Sequence, residues 1–400
     1  MSATILLREY ADRLVALEPD DVTFVEEQLK GRIAIRRPVH GTDYVLNPNQ
    51  FVGVVALPSG RRLESYPKVP VQSLFYMLAV AFNLPSPFLP EWAEFDELDE
   101  MLEFVVAHYA DLLEDRIAHG LYRTYAEREE NLSAVRGRIA VAEDMRQNYV
   151  LRHRTYCRFD ECTWDVPENQ ILRQVAHLVT GWVRTPTLRM RLQQIDRRMG
   201  EVAPTNHAAS VLDRFTYHRL NDDYEPMHRL CRLFLEGASL SEAEGLFTFR
   251  TFLFDMNKLF EAFVTQVLRD RAPAGISVAA QVPVHLDEGR RVRMQPDLVI
   301  RERGVPVLVA DCKYKRLKQD EFRHHDVYQV LAYCTALDVG NGLLVYPAHE
   351  VHVRDEVSIR HAPVLIRQTT LDLSGDANGL RLACHHLAQE VFAPARRDNH

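Results

Sequence analysis

The chain has 400 residues, of which 46% are hydrophobic and 26% charged, and its formal net charge is -8 at pH 7. This length favours two or three domains, and the acidic balance argues against a protein that coats nucleic acid non-specifically. The six cysteines form neither a disulfide framework nor the paired Cys/His spacing of a zinc site, which predicts a reducing, cytoplasmic compartment.

Residues 1 to about 88 are predicted to be mainly β. Hydrophobic and charged side chains alternate from Gly31 to Arg37, Thr42–Asn47 is a short run bounded by turn residues, and Phe51–Leu57 is apolar. Pro58–Arg61 then has the composition of a turn. The sequence therefore predicts several short strands in this part of the chain.

The middle of the chain is predicted to be mainly helical. The apolar run Leu74–Phe82 is too short to span a membrane and predicts a buried helix. The acidic segment Glu91–Glu103 predicts a linker that leads into a helix over Leu98–Ile117. The chain is predicted to be extended around Val135–Ile139, and two further helices are predicted over Gln170–Thr180 and Thr187–Met199. The last is rich in arginine, which suits a phosphate backbone or, as we favour, a solvated helix face.

The C-terminal part has the predicted order helix, three strands, helix, strand. These elements are an amphipathic helix over Phe254–Leu268, a strand over Ile276–Leu286, a β-hairpin of Gln295–Ile300 and Val307–Lys315, a helix over His325–Leu337 and a strand over Gly342–Tyr346. The Gly and Pro between the two hairpin runs are turn residues. A closing helix is predicted over Ala377–Phe392.

Three charged side chains of this hairpin form the candidate site. Asp297 opens the first strand, while Asp311 and Lys313 end the second strand on one face, because side chains alternate along a strand. Mg²⁺ prefers hard oxygen ligands, and an ammonium group beside it can orient a water or stabilise the transition state of phosphodiester hydrolysis. On this pattern alone, a hairpin with a solvated charged end is the favoured interpretation.

The surroundings of the hairpin strengthen the functional interpretation. Glu261 lies at the edge of the apolar stripe of the preceding helix, and Gln329 and Tyr333 project from one side of the following helix. The segment from Arg290 to Arg323 contains ten Lys/Arg and five Asp/Glu, an excess of positive charge suited to a polyanionic substrate. The sequence has no Walker-type phosphate loop, so the chain is not expected to bind and hydrolyse a nucleotide itself.

The order of these elements resembles the PD-(D/E)xK nuclease fold, in the branch that carries a Gln-x-x-x-Tyr helix as RecB-type nucleases do. More narrowly, the chain resembles the McrC family, the nuclease subunits of McrBC-type, 5-methylcytosine-specific restriction systems. The resemblance is carried by FVGVVALPSGRRLESYPKVP (51–70), VRGRIAVAED (135–144), CRFDECTWDVPENQILR (157–173), DMNKLFEAFV (255–264), PDLVI with VADCKYK (296–300 and 309–315) and DVYQVLAY (326–333). These phrases span most of residues 50 to 350.

The resemblance implies a role for each residue of the site. Asp297 and Asp311 become metal ligands, and Lys313 becomes the catalytic lysine. The other implied roles are a further metal ligand for the backbone carbonyl of Cys312, an acidic helper for Glu261, and support of the site or contact with DNA for Gln329 and Tyr333.

The resemblance also implies an α+β multidomain fold. It consists of a β-rich N-terminal domain for partner docking (1–95), a mainly helical middle region (96–245) and a C-terminal α/β PD-(D/E)xK restriction-endonuclease-like domain (246–395). The implied activity is that of an endonuclease dependent on Mg²⁺, with Mn²⁺ as an alternative, which cleaves modified double-stranded DNA and has no membrane partner.

The implied partner is a ring of AAA+ GTPase subunits, which binds GTP and recognises the DNA, and whose hydrolysis this chain stimulates. Arg61, Arg62 and Lys68 are candidates for the ring contact because they are expected to be exposed. Two alternatives stay open. One is a regulatory adaptor of the ring with a vestigial nuclease site, and the other is a stand-alone RecB-type repair nuclease.

Overall fold

The computed structural model describes residues 4–38, 43–82, 97–150, 153–219, 221–238, 251–315, 324–348 and 354–392. The chain is mixed α/β with several separate sheets. It divides into two compact units, one formed by residues 1–101 together with 237–400 and the other by residues 102–236. The first unit thus contains segments from both ends of the chain, and the three-domain organisation stays a prediction.

The N-terminal part of the first unit is mainly β, with two helices. Its elements are β1 (Thr4–Arg8), β2 (Arg13–Val15), α1 (Pro19–Gln28), β3 (Ala34–Arg36), β4 (Tyr44–Asn47), β5 (Phe51–Ala56), β6 (Arg62–Tyr66) and α2 (Val71–Ala81). β1 pairs in parallel with β6, which pairs antiparallel with β5. β2, β4 and β3 form a second sheet. α2 is the expected buried helix, and among the described helices none is long and apolar enough to cross a membrane.

The basic side chains expected to be exposed here are instead engaged with acids. Arg61 contacts the fully buried carboxylate of Asp21 at 3.1 Å, and Arg62 is paired with acidic side chains of the same unit. The Lys68 ammonium lies 3.5 Å from the Glu9 carboxylate, and its side chain is only 9% exposed. The expectation of exposure was therefore wrong, because each cation balances a nearby carboxylate.

Residues 97–238 contain the predicted helices and a three-stranded sheet, of which only the extended chain around Val135–Ile139 was predicted. The elements are α3 (Leu98–His119), β7 (Thr124–Leu132), β8 (Arg138–Ile139), α4 (Val141–Gln147), β9 (Thr155–Thr163), α5 (Pro167–Thr180), α6 (Pro186–Arg198) and α7 (Glu225–Ala238). β7 and β9 pair antiparallel over their whole length. Ion pairs such as Arg158 with Glu129 link these strands, and the buried apolar alternation is limited to Cys157 and Phe159 of β9. Residues 91–96 of the predicted linker lie outside the described residues.

The C-terminal part of the first unit is built around a six-stranded sheet. Its elements are β10 (Thr251–Asp255), α8 (Met256–Asp270), β11 (Ile276–Ala280), β12 (Val284–His285), β13 (Arg293–Met294), β14 (Leu298–Glu302), β15 (Val305–Cys312), α9 (His324–Leu337), β16 (Asn341–Ala348), β17 (Arg354–Ser358), β18 (Leu365–Asp372) and α10 (Ala377–Phe392). The strand order is β11-β14-β15-β16-β18-β17. β15, β16 and β18 run parallel, and α9 lies between β15 and β16 in the chain, as a parallel pair requires of its connection.

Close packing of α9 onto this sheet depends on a glycine in β16. The α9 side chains Val330 and Cys334 belong to the apolar core beneath the helix, together with Leu344 and Ile366 of the sheet. A Cβ atom on Gly342 would lie 2.4 Å from Cγ1 of Val330 and 3.2 Å from Sγ of Cys334. The glycine therefore sets how closely helix and strand approach.

Two details of this part differ from the sequence-based expectations. The strand predicted over Ile276–Leu286 is interrupted after Ala280, because Gln281 adopts a left-handed conformation with φ 53°. β10 was not predicted, and it pairs with β5 across nearly two hundred residues of sequence. Gly53 permits that pairing, since a Cβ there would lie 1.9 Å from the carbonyl oxygen of Phe252.

Candidate active site

The hairpin of β14 and β15 places Asp297 beside Asp311 and Lys313, at the end of the two strands away from the turn. The two strands pair antiparallel from Leu298 opposite Ala310 to Glu302 opposite Val305, which confirms the predicted hairpin. Arg303 and Gly304 form its two-residue turn with φ of 50° and 87°, the left-handed geometry that a tight hairpin turn requires. At the other end of the hairpin, the start of β14 and the end of β15 therefore lie side by side.

Asp297, directly before β14, is held in place by hydrogen bonds to both of its carboxylate oxygens. The backbone N–H of Cys312 donates to its Oδ2 at 2.8 Å, and the side-chain amide of Gln281 lies 3.4 Å from its Oδ1. The backbone N–H of Gln281 also donates to the carbonyl oxygen of Asp297 at 3.0 Å. The carboxylate is thus oriented before any ligand binds.

Asp311 and Lys313 lie on the same face of the strand end, as their spacing predicts. The Lys313 ammonium nitrogen is 2.6 Å from Oδ2 of Asp311, whose side chain is 1% exposed. Oδ1 of Asp311 is buried and accepts no hydrogen bond from any described residue. Since a buried carboxylate oxygen without a partner is costly, this atom is available to a ligand that enters the site.

The strand end that carries Lys313 is fixed on both sides. The backbone N–H of Lys313 donates to the carbonyl oxygen of Val345 in β16 at 2.9 Å. The next residue, Tyr314, is buried, and its hydroxyl lies 3.4 Å from Oε2 of Glu9 near the end of β1. The backbone that carries the Lys313 side chain is therefore held in place.

Glu261 of α8 is a third carboxylate beside Asp297 and Asp311. Gln281 donates a hydrogen bond to its Oε1, so one amide group links Glu261 and Asp297. Burial raises the pKa of Glu261, and the charge of Asp311 adds to that effect. Within the described ranges, no group of three or more His, Cys, Asp or Glu side chains is already arranged to hold a metal ion.

Crowding of carboxylates in a buried place determines the electrostatics of the site. Burial raises the pKa of Asp297, with a further contribution from the charge of Glu261. Burial likewise raises the pKa of Asp311, and the charge of Asp297 increases that shift. Burial acts to lower the pKa of Lys313, but the Asp311 carboxylate outweighs it and the pKa is raised overall. The site therefore holds excess negative charge, which the Lys313 ammonium group partly balances.

The two polar side chains of α9 lie next to this cluster and bond to each other. Gln329 donates to the hydroxyl of Tyr333 at 2.6 Å, and that hydroxyl lies 3.4 Å from the carbonyl oxygen of Gln295. Burial raises the pKa of Tyr333, and the charges of Asp311 and Asp297 contribute to the same shift. The helix thus supports the segment that leads into Asp297.

Sequence reasoning missed the two glutamines that bind this segment together. Gln281 contacts Glu261 and Asp297, and Gln295 donates to the carbonyl oxygen of Gln281 at 3.1 Å. Neither residue type carries a chemical signature of its own. A break after the apolar run of β11, just ahead of Pro283, was the one local signal for a special backbone position.

The donor set suits a hard divalent cation. Asp297 and Asp311 offer carboxylate oxygens, one of them without a partner among the described residues, and the Cys312 backbone carbonyl is adjacent in the chain. Mg²⁺ accepts such oxygen ligands and completes its shell with water. A cation would also relieve the repulsion between carboxylates that share a buried site.

Known proteins share both the sequence pattern and the fold. The McrBC 5-methylcytosine restriction system component model matches residues 46–347. The type IV methyl-directed restriction enzyme EcoKMcrBC of Escherichia coli (strain K12) is 21% identical over 317 residues, which cover 73% of this chain and 90% of that protein.

Two solved structures from Thermococcus gammatolerans are also similar. A chain of the refined half-complex from the tetradecameric assembly of McrB AAA+ hexamers with bound McrC has a TM-score of 0.57 and 18% identity, covering 96% of this chain and 100% of that chain. A chain of the McrBC complex has a TM-score of 0.43 and 19% identity, covering 68% of this chain and 88% of that chain. Because the family model spans most of the sequence, this chain belongs to the McrBC 5-methylcytosine restriction system component family.

Proposed function

We propose that this chain is the metal-dependent endonuclease subunit of a GTP-dependent, modification-dependent restriction complex. One observation carries the proposal. Asp297, Asp311 and Lys313 meet at one end of the β14–β15 hairpin, and the buried Oδ1 of Asp311 has no hydrogen-bond partner among the described residues. This is the set of groups that phosphodiester hydrolysis needs, namely ligands for a hard cation and a cation beside the scissile phosphate.

The element order supports assignment of the C-terminal part to the PD-(D/E)xK nuclease fold. α8 precedes β11, the β14–β15 hairpin carries the two acids and the lysine, and α9 with its Gln-x-x-x-Tyr pair leads into β16. The same order was inferred from sequence, where it suggested this fold. The assignment of fold and activity rests on that correspondence together with the chemistry of the site.

In this proposal Asp297 and Asp311 hold Mg²⁺, or Mn²⁺ in its place, together with the carbonyl of Cys312. The bound cation lowers the pKa of a coordinated water and neutralises charge on the phosphate. Asp297 is already oriented for this role by the Cys312 N–H, so little conformational entropy is lost when the ligand binds.

Lys313 has the role of an electrostatic catalyst. Its raised pKa keeps the ammonium group protonated at physiological pH, so it is a donor to the attacking water or to the phosphate. Glu261 is the acidic helper, held toward the site by Gln281. Gln329 and Tyr333 support the segment before Asp297 and are candidates for contact with the DNA backbone.

We further propose an AAA+ GTPase ring as the partner, with GTP bound by the ring and not by this chain. The likeness to a chain from an assembly of McrB AAA+ hexamers with bound McrC supports this. Of the 17 large apolar side chains that are exposed among the described residues, seven lie between Tyr125 and Val150. Exposed apolar side chains concentrated in this way are typical of a protein interface.

We call this cluster the exposed apolar surface and assign the ring contact to it. Its members are Val135, Ile139, Val141, Met145, Tyr149 and Val150. Tyr125 is left out because it pairs with Cys162 and Ile139 with Cys157, so the two side chains point to opposite faces of their sheet. The surface belongs to the second unit, whereas the three site residues belong to the first. Docking and chemistry are therefore separable by mutation.

The direct experiment is a cleavage assay of methylated and unmethylated plasmid with Mg²⁺, GTP and the AAA+ GTPase. It compares wild type with Asp311→Asn and with Asp355→Asn, the same substitution at an exposed position of β17 in the same sheet. We expect cleavage of methylated DNA by wild type and Asp355→Asn, and at least about a 100-fold loss in Asp311→Asn.

The outcomes separate the alternatives. Cleavage that survives Asp311→Asn would contradict the site assignment. If wild type fails to cleave but stimulates GTP hydrolysis, the chain is a regulatory adaptor. If it cleaves without the GTPase, the stand-alone nuclease is favoured.

A further inference from the structure

Residues 284–294, which lie between β11 and β14 in the chain, form a short two-stranded arm. β12 and β13 pair antiparallel, with Val284 opposite Met294 and His285 opposite Arg293. Val284 is buried and Met294 packs on the core beneath α9. From Leu286 to Arg293 every described side chain except that of Asp287 is exposed. We call these residues the β12–β13 arm.

The arm has a fixed conformation. The Leu286 N–H donates to the carbonyl oxygen of Val292 at 3.0 Å, which extends the strand pairing by one step. Asp287 closes the turn, because its Oδ1 accepts the Val292 N–H at 2.7 Å and its carbonyl accepts the Arg290 N–H at 3.1 Å. A turn closed in this way presents its outward side chains at little entropic cost.

The base of the arm is part of the candidate site. Gln281 and Gln295, which flank the arm, are joined by a hydrogen bond of 3.1 Å from the Gln295 side chain to the Gln281 carbonyl. Gln281 continues to Glu261 and Asp297. A group bound at the base of the arm would therefore be close to the proposed metal ligands.

Charge indicates what the arm binds. Arg290, Arg291 and Arg293 are all exposed, and the Arg291 side chain is 89% exposed. The acids of the arm are Asp287, which is occupied in closing the turn and lies 3.5 Å from Arg291, and Glu288. Three guanidinium groups on an ordered ribbon suit the phosphates of a nucleic acid, which arginine binds with two parallel hydrogen bonds.

We propose that the β12–β13 arm binds the phosphodiester backbone of duplex DNA beside the scissile bond. This inference rests on the proposed nuclease function and adds an element that positions its substrate. Arg293 is four residues before Asp297, so their Cα atoms are separated by at most about 14 Å. Since one strand of duplex DNA presents a phosphate about every 3.4 Å along the helix axis, the arm reaches phosphates within a few nucleotides of the reacting one.

The test measures DNA binding separately from cleavage. The full chain is titrated into a fluorescein-labelled duplex in EDTA, at several salt concentrations, and binding is read by fluorescence anisotropy. The variants are Arg291→Glu with Arg293→Glu, the corresponding double Lys variant, and Arg360→Glu as the matched control. Arg360 is an exposed arginine that follows β17 at the opposite edge of the same sheet.

The arm predicts a specific pattern of binding. The double Glu variant should bind at least about tenfold more weakly, and the slope of log K against log salt should fall by about two. The double Lys variant should bind more weakly than wild type but more tightly than the double Glu variant and keep the wild-type salt slope, because the charge is retained and the paired hydrogen bonds are lost. Arg360→Glu should bind as wild type does. An unchanged melting temperature of each variant shows that the fold is intact.

Three results would overturn the inference. They are unchanged binding by the double Glu variant, an equal loss in Arg360→Glu, and loss of GTPase stimulation with DNA binding retained, which would assign the arm to a protein partner. Because binding is measured without cleavage, a chain that binds DNA through the arm but never cuts it would contradict the proposed nuclease function alone.

Discussion

At the scale of single residues, the site is a cluster of carboxylates that the protein keeps close together at a cost. Burial raises the pKa values of Asp297 and Asp311, with further contributions from the charge of Glu261 to Asp297 and from the charge of Asp297 to Asp311. A raised carboxyl pKa in the folded state means that this charge opposes folding once the pH exceeds its ordinary value. Such local instability is typical of binding and catalytic sites, where the ligand compensates for it.

The substitution Asp297→Asn tests this cost. Asn keeps an oxygen for the Cys312 N–H but removes one charge, so in EDTA at neutral pH the free energy of unfolding should rise by about 1 kcal/mol. The gain should shrink as the pH falls toward about 4, where both states bind the proton. Chemical denaturation across pH measures it, with Asp355→Asn as control. A less stable Asn variant at neutral pH would contradict the electrostatic account.

Gln281 is expected to position the metal ligands without touching the metal. Its amide links Glu261 to Asp297, so Gln281→Asn, which is too short for both contacts but tolerates the left-handed backbone, should weaken Mg²⁺ binding about tenfold. The measurement is the Mg²⁺-dependent rise in melting temperature, with metal-free stability as the control. An Mg²⁺ titration identical to that of wild type would show that the glutamine has no such role.

The sequence indicated the acids and the lysine because strand alternation fixes which neighbours share a face. It could not indicate Gln281, whose role depends on a left-handed φ and on two partners distant in sequence. The same limit applies to Tyr314, whose hydroxyl reaches Glu9 three hundred residues earlier in the chain. Residue roles that arise from tertiary contacts leave no local pattern to read.

At the scale of elements, local patterns served well where one face of an element is apolar. The closing helix was predicted over the residues that α10 occupies, and α9 begins one residue before its predicted start. β7 and β9 were missed because β7 is mostly polar and charged, and the apolar alternation of β9 is limited to Cys157 and Phe159. β10 was missed because its partner strand is far away in sequence, and sequence periodicity carries no information on pairing partners.

The contact between α9 and β16 gives a prediction at this scale. In Gly342→Ala the added methyl group would overlap Val330, so the melting temperature should fall, with a loss of about 1–3 kcal/mol in stability. Val330→Ala in the same chain should restore part of that loss, because it makes room for the methyl group. Two additive losses would show that the two side chains do not meet.

At the scale of the whole molecule, the chain separates its proposed tasks between two units. The site residues lie in the unit that joins both ends of the chain, and the exposed apolar surface lies in the unit of residues 102–236. The broad mixed α/β class and the family could be predicted from the sequence. The grouping of distant segments into one unit could not, because it depends on contacts such as the pairing of β10 with β5.

The exposed apolar surface predicts a variant that separates the two tasks. Tyr149→Asp with Val150→Asp places charge on a surface that would be buried on docking, so stimulation of the ring's GTP hydrolysis should fall at least about tenfold. Met190→Asp, at an exposed apolar position of α6, is the control. The melting temperature should stay unchanged, since both targets are exposed. Full stimulation of GTP hydrolysis by the double variant would show that the ring contacts a different part of the chain.

A single reaction that reports both activities tests whether the chemistry takes place at Lys313. Complexes of the AAA+ GTPase with wild type or Lys313→Met are supplied with Mg²⁺, GTP and methylated plasmid, and DNA cleavage and GTP hydrolysis are recorded together. We predict that cleavage falls by about 1,000-fold or more in Lys313→Met, while stimulated GTP hydrolysis stays at the wild-type rate. Cleavage at the wild-type rate without this ammonium group would contradict the claim that the chemistry takes place at the end of β15.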